Sequence, residues 1–232
     1  MDTISLIKGL RFVDSFFPSG GYAFSSGVEA AVQGGAVGNA EDLDRYVTDL
    51  FRSGTGQCEA VAVARAWMAV TSDKLQVAKD ADLELDAMKL CRETRMASRQ
   101  MGRQVLKIAT EQQKGQQGVA AILTGYQAEV EAGRSPGHLA VSLGLTLGAC
   151  GWSQEGAVAA YLYQSAVGLV SAALKLLPIG QREAQRLLES WLPLIEDLSR
   201  ERESGPTMTS WVPVQDIYAM RHSRLTSRLF RS

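Results

Sequence analysis

Between Glu155 and Lys175 the chain carries no charged residue, and its apolar and small side chains run all the way round a helical wheel. A helix apolar on every side is either wrapped by other helices or sits in a bilayer. Pro178 ends the run, because proline has no backbone N–H to donate and disfavours helix in the residue before it. After Gly180 and Gln181, the residues Ala184, Leu187, Leu188, Trp191, Ile195 and Leu198 recur at three- and four-residue steps, the pattern of a helix with one apolar face. Together these segments predict an all-α fold: a single-domain helical bundle around a buried central helix at about 155–177, with a sharp corner at Pro178.

The totals narrow the classes. A chain of 232 residues with 46% hydrophobic content can bury a sizeable core. No Val/Ile/Thr alternation suggests a sheet. A net charge of −1 gives no global field for nucleic acid. Cys58, Cys91 and Cys150 are odd in number and far apart, which argues against a disulfide framework and for a reducing compartment. The first residues lack the basic-then-apolar pattern of a secretory leader, so a cytoplasmic location is expected. Ser135–Gln154 is also uncharged, and with the central run could form a membrane hairpin. Pro136, His138, Gln164, Ser165 and Ser171 weigh against that, and no membrane is expected.

Further elements follow from periodicity and capping. Ile4–Val13 reads as a short helix. The stretch Asp14–Val32 contains Pro18, Gly20 and Gly21, which force a turn. Ser25 or Ser26 is then expected to cap a helix, with Glu29 reaching back as in a capping box. Asn39 should cap a helix over Ala40–Arg52. Gln57–Val70 reads as another helix, and Asp86–Gln113 as the longest. On that longest helix Arg92, Arg95, Arg99, Arg103 and Lys107 share about a third of the wheel. They form either a solvated face or a docking surface for an acidic partner. Pro136 should start a helix with His138 in its first turn. Residues 1–203 are expected to form the helical domain, and 204–232 a linker and C-terminal tail that orders against a partner or packs back on the body.

Sites of chemistry are scarce. No Gly–Lys–Ser/Thr phosphate loop is present, and no Gly-x-Ser-x-Gly elbow marks a nucleophile. His138 and His222 stand without a Cys-x-x-Cys pair, so each reads as a first-turn or surface residue, the alternative being a metal site built across chains. No cofactor is expected. Lys175 either complements the negative end of its helix or stands as a surface knob beside the rigid corner.

Several motifs taken in order resemble the UreF family of urease accessory proteins. They are Pro18-Ser19-Gly20-Gly21-Tyr22 with Ser25-Ser26-Gly27-Val28-Glu29, then Glu93-Thr94-Arg95 with Arg103 downstream. Gly168–Lys175 with Leu177-Pro178-Ile179-Gly180-Gln181 follows, and His222 with Ser227–Ser232 closes the chain. The resemblance implies an all-α homodimer with no catalysis of its own. It would join a UreD/UreH-type scaffold protein to the nickel-carrying UreG GTPase, modulate the GTPase cycle, and help load the urease apoprotein during metallocentre maturation. Carried over, Tyr22, Ser26, Glu29 and Lys175 would face the GTPase, with Gln181 in the same corner. The tail, with His222, Arg228, Leu229 and Phe230, would pack on the scaffold. The competing reading is a small helical enzyme with a cleft beside the Pro178 corner.

Overall fold

The computed structural model describes residues 1–112, 119–201 and 207–231; the linker at 204–206 and the last residue, Ser232, lie outside them. Among the described residues there are eleven α-helices and no strand. In chain order they are α1 (Thr3–Val13), α2 (Val28–Gln33), α3 (Ala40–Leu50), α4 (Glu59–Thr71), α5 (Leu75–Met88) and α6 (Arg92–Gln112). Then come α7 (Val119–Glu131), α8 (Leu139–Ala149), α9 (Gln154–Leu176), α10 (Gln181–Glu201) and α11 (Pro213–His222). The all-α, single-domain expectation holds.

The helix wrapped on every side is α8, not the expected one. Every residue from Ala140 to Leu147 is buried, sandwiched between α4, α6, α9 and α7. The closest pair is α4 and α8, and glycine is what permits it: a Cβ at Gly144 would stand 2.5 Å from the Val63 carbonyl oxygen. At 11 residues, α8 spans roughly 16 Å, about half a bilayer core. The membrane hairpin therefore fails at its first arm. The central uncharged run forms α9 with the expected limits, but only half of its most apolar window is buried. Tyr163, Gly168, Ser171 and Lys175 line its outer side. Small residues had made its wheel look uniformly apolar, yet Gly and Ser tolerate exposure without cost.

After the corner, α10 follows the periodicity closely. Ala184, Leu187, Leu188, Trp191, Ile195 and Leu198 are all buried, and the Trp191 indole N–H donates to Asp44 at 2.6 Å. Pro193 sits inside this helix on its exposed side. Proline there removes one backbone hydrogen bond and crowds the preceding turn. Pro193→Ala is expected to raise stability by about 1–2 kcal/mol, after allowing for the looser unfolded chain. An unchanged or lower denaturant midpoint would show that the kink is needed by the packing.

Other expectations need correction. The helix placed at Asp86–Gln113 is two helices, and Asp86 ends up in α5. No glycine or proline marks the break at Lys89-Leu90-Cys91. What it achieves is tertiary: Lys89 turns inward to pair with Glu59 at 2.6 Å. Asn39 does cap α3, accepting from the Asp42 N–H at 3.0 Å, but α3 ends at Leu50 and passes into one wider turn over Phe51–Thr55. His138 caps α8 from outside its first turn, and both histidines are fully buried. Cys58, Cys91 and Cys150 are buried free thiols.

Candidate functional site

The tail returns to the body. Thr209 N–H donates to the Gln57 carbonyl and Trp211 N–H to that of Ser53, and α11 packs against α2 and α6. Its arrival depends on Gly27, which has φ +90° and lies so close that a Cβ would meet the Ala219 backbone nitrogen at 3.2 Å. Ser26, at φ 51°, precedes it in the left-handed region. Gly27, not a serine, stands at the N-cap of α2, so the capping box does not form. Ser25 Oγ accepts the Glu29 N–H at 3.4 Å, and the Glu29 side chain is released for other work.

That work is to hold the tail. Glu29 is 1% exposed and accepts three hydrogen bonds from the far end of the chain. Leu229 N–H donates to Oε1 at 2.6 Å, Phe230 N–H to Oε2 at 3.1 Å, and His222 Nε2 to Oε2 at 2.9 Å. The other ring nitrogen, Nδ1, meets Glu93 Oε2 at 2.8 Å. Both ring nitrogens of His222 thus lie within hydrogen-bond distance of a carboxyl group. Arg228 reaches Glu93 Oε1 at 3.4 Å, Lys175 Nζ lies 5.1 Å from the centre of the Phe230 ring, and Arg231 N–H donates to the Ala23 carbonyl. The buried Glu29 carboxylate is thus satisfied by the Leu229 and Phe230 amides and the His222 ring, as a buried charge requires.

The structure brings together Glu29, Lys175, His222, Arg228, Leu229 and Phe230, with Ser26 at the start of α2. Tyr22 is 77% exposed in the turn Gly21–Ala23 beside them. Gln181 opens α10 on the outer surface and, among the described residues, makes no bond to this cluster. Glu93 is the member that residue-by-residue reasoning passed over. It stood in the Glu93-Thr94-Arg95 motif of the family resemblance without a role of its own.

Burial alone would raise the Glu29 pKa, but the Leu229 amide, His222 and the Phe230 amide more than reverse this and hold it below 4.5. A carboxyl with a depressed folded-state pKa contributes stability that is present above its unfolded value and lost as pH falls through the folded one. Protection of the Leu229 and Phe230 amides should therefore hold at neutral pH and decline below about pH 4.5. Hydrogen exchange across that range checks this, and protection that rises on acidification would contradict it.

A cavity of about 290 Å³ lies beneath the cluster, walled by Tyr22, Ser26, Gln164, Asp216, Glu59 and Lys89. Burial pushes the Lys89 pKa down, but the adjacent Glu59 charge more than compensates and the ammonium is held above its ordinary range. Glu59 is correspondingly held as a carboxylate. The cavity also touches Ser98, whose Oγ is 3.0 Å from His138 Nδ1, while His138 Nε2 is 2.8 Å from Asp86. That connectivity is the serine–histidine–aspartate chain of a hydrolase. Its surroundings make it a helix cap instead. Ser98 Oγ accepts the Leu139 N–H, and the buried Asp82 takes those of Gly137 and His138, so these side chains tie the start of α8 to α6 and α5. Arg99 also binds Asp86. Among the described residues, no group of His, Cys, Asp and Glu side chains is arranged to hold a metal ion.

Comparison with known proteins agrees with the motif order. The UreF family model matches residues 37–191. Over its full length the chain is similar to the urease accessory protein UreF of Bacillus sp. (strain TB-90), at 28% identity covering 98% of this chain and 99% of that protein. UreF of Cereibacter sphaeroides is 28% identical over 98% of this chain and 99% of its own, and that of Yersinia enterocolitica serotype O:8 27% over 99% of each. The family match spans the helical body, while the tail and the Glu29 turn that it clasps are covered by the full-length relatives. The chain belongs to the UreF family of urease accessory proteins.

Proposed function

We propose that this protein is a non-catalytic scaffold in urease maturation. It joins a UreD/UreH-type protein to a UreG-type GTPase, biases the GTPase cycle, and so helps deliver nickel to the urease apoprotein. The carrying observation is the clasp. Residues from the N-terminal turn, α6, the end of α9 and the C-terminus meet in one place, although they are separated by up to 201 positions. A surface assembled from both ends of a chain is a rigid composite that a partner can read as a unit.

Within this reading, Tyr22, Ser26, Glu29, Lys175 and Gln181 serve the GTPase side. The exposed side chains of Trp211, Val214, Ile217 and Leu229 serve the scaffold side. The protein works in the cytoplasm as a homodimer. Uncovered apolar residues on α1, Ile4, Ile7 and Leu10, support an assembled state. Nickel is cargo that passes through the complex. To bias the GTPase the scaffold must bind one nucleotide state more tightly than another, since equal affinity shifts nothing.

Co-purification with a UreD/UreH-type protein, with and without the residues after Ser204, tests the proposal. The full chain should form the complex and the truncated chain should not; failure of the full chain sinks the idea. Lys175→Ala should cost at most about 1 kcal/mol of stability, the size of an exposed cation–π contact, and yet uncouple the GTPase. Loss of helicity by circular dichroism would return Lys175 to a structural role.

A further inference from the structure

Gly168, in the middle of α9, is a glycine that the fold itself does not require. Among the described residues, the other glycines inside α-helices make room for a neighbour. A Cβ at Gly9, Gly102, Gly125, Gly144, Gly148 or Gly156 would stand between 2.1 and 3.3 Å from another atom. At Gly168 it would meet nothing within 4 Å, and the backbone there is not left-handed. Glycine in a helix interior is destabilising relative to alanine, so the isolated chain loses a little by it and gains no contact.

The glycine belongs to a strip. Gln164, Gly168, Ser171 and Lys175 fall within an arc of about 60° at 100° per residue, along roughly 16 Å of α9. Gly168 and Ser171 are exposed and also line the cavity of about 290 Å³, as do the exposed Ser15 and Tyr22 of the turn before α2. The cavity therefore opens to the surface between that turn and α9. Gln164 lines it one helical turn earlier, and its Oε1 is buried with no hydrogen-bond partner among the described residues. A buried acceptor left without a donor costs free energy that an incoming N–H would recover.

We infer, resting on the accessory-protein reading, that Gly168 is the point at which the main chain of the UreG-type GTPase packs against α9. A loop of that protein enters the cavity mouth, with a backbone N–H directed to Gln164 Oε1. The missing side chain lets a backbone approach more closely than any other residue would allow. The occupant is a polypeptide rather than a small molecule, because the bare position lies on an exposed strip that continues past the mouth to Lys175. It is the GTPase rather than another partner, because Lys175, which that reading assigns to the GTPase, stands on the same strip roughly 10 Å away.

The test titrates the GTPase into the full chain in complex with the UreD/UreH-type protein, as wild type, Gly168→Ala, Gly168→Leu, Gln164→Met and Lys175→Ala. Affinity should fall at least about tenfold in Gly168→Leu, through a clash with the docked backbone. It should fall about threefold in Gln164→Met, which removes the acceptor at similar volume. Gly168→Ala should bind with intermediate affinity while the free chain unfolds at a denaturant concentration no lower than wild type, which separates lost docking from misfolding. Unchanged affinity in Gly168→Leu or Gln164→Met, with Lys175→Ala weakened, overturns this inference and leaves the accessory reading in place. A weaker dimer or scaffold complex in Gly168→Leu, at unchanged GTPase affinity, assigns the glycine to another contact and overturns it as well. A wild-type complex that binds no GTPase overturns the accessory reading and this inference with it.

Discussion

Glu29→Ala is expected to free the C-terminal tail, with hydrogen-exchange protection of the Leu229 and Phe230 amides falling at least about a hundredfold, near 3 kcal/mol. The substitution removes the acceptor of two backbone amides and of the His222 ring. Each buried donor left without its acceptor costs about 1–3 kcal/mol, and Glu29 serves three of them. Here the chain has an escape, since the tail can open and return His222 to water. The measured loss is then capped by the free energy of that opening, so it shows in the tail amides more strongly than in the global denaturant midpoint. Glu29→Gln should lose most of the same protection, because the amide has one oxygen where the carboxylate uses both to accept the Leu229 and Phe230 N–H groups. Protection equal to wild type in both variants would mean that Ala219, Phe230 and their apolar neighbours hold the tail without the carboxylate.

The second large effect concerns two glycines in adjacent core helices. Gly144→Val is expected to lower stability by about 3 kcal/mol or more, at or beyond the usual range for overpacking. The added Cβ would meet the Val63 carbonyl oxygen at 2.5 Å and the Ala66 Cβ at 2.9 Å. Those are atoms of an ordered helix rather than the free end of a flexible side chain, so α4 and α8 must separate. Gly168→Ala in α9 should do the reverse, gaining about 0.5–1 kcal/mol, because nothing lies within 4 Å of the new methyl and glycine is a poor helix former. Chemical denaturation of both variants checks the pair, and a tolerated valine at 144 would refute the close helix crossing.

Much of the fold was legible because strong periodicity and strong punctuation coincide. The apolar residues of α10, the Asn39 cap and the corner at Pro178 each follow from a local rule that tertiary packing then reinforces. The break between α5 and α6 was not legible, since Lys89-Leu90-Cys91 has no helix-breaking residue and the kink is set by Glu59 thirty positions away. The identity of the enveloped helix was also hidden. Gly, Ser and Thr in α8 lower its apparent apolarity while allowing closer packing, and the same small residues in α9 accompany exposure. For the site, the resemblance supplied the members, but not how they fit together. Glu29 read as a capping residue and His222 as a surface one, because a pairing across 193 positions leaves no periodic trace. Ser98, His138 and Asp86 likewise meet from three helices or their caps, and only their hydrogen bonds show how they tie the start of α8 to α5 and α6.

On the function proposed above, the clasped tail and the Lys175 corner together form the surface that couples a GTPase to its scaffold. The most direct measurement follows GTPase coupling in the reconstituted complex alongside amide protection of residues 222–230, for wild type, Glu29→Gln and Lys175→Ala. Glu29→Gln should lose tail protection and coupling together, whereas Lys175→Ala should lose coupling with the tail still protected. Full coupling by Glu29→Gln with an unprotected tail would contradict the account.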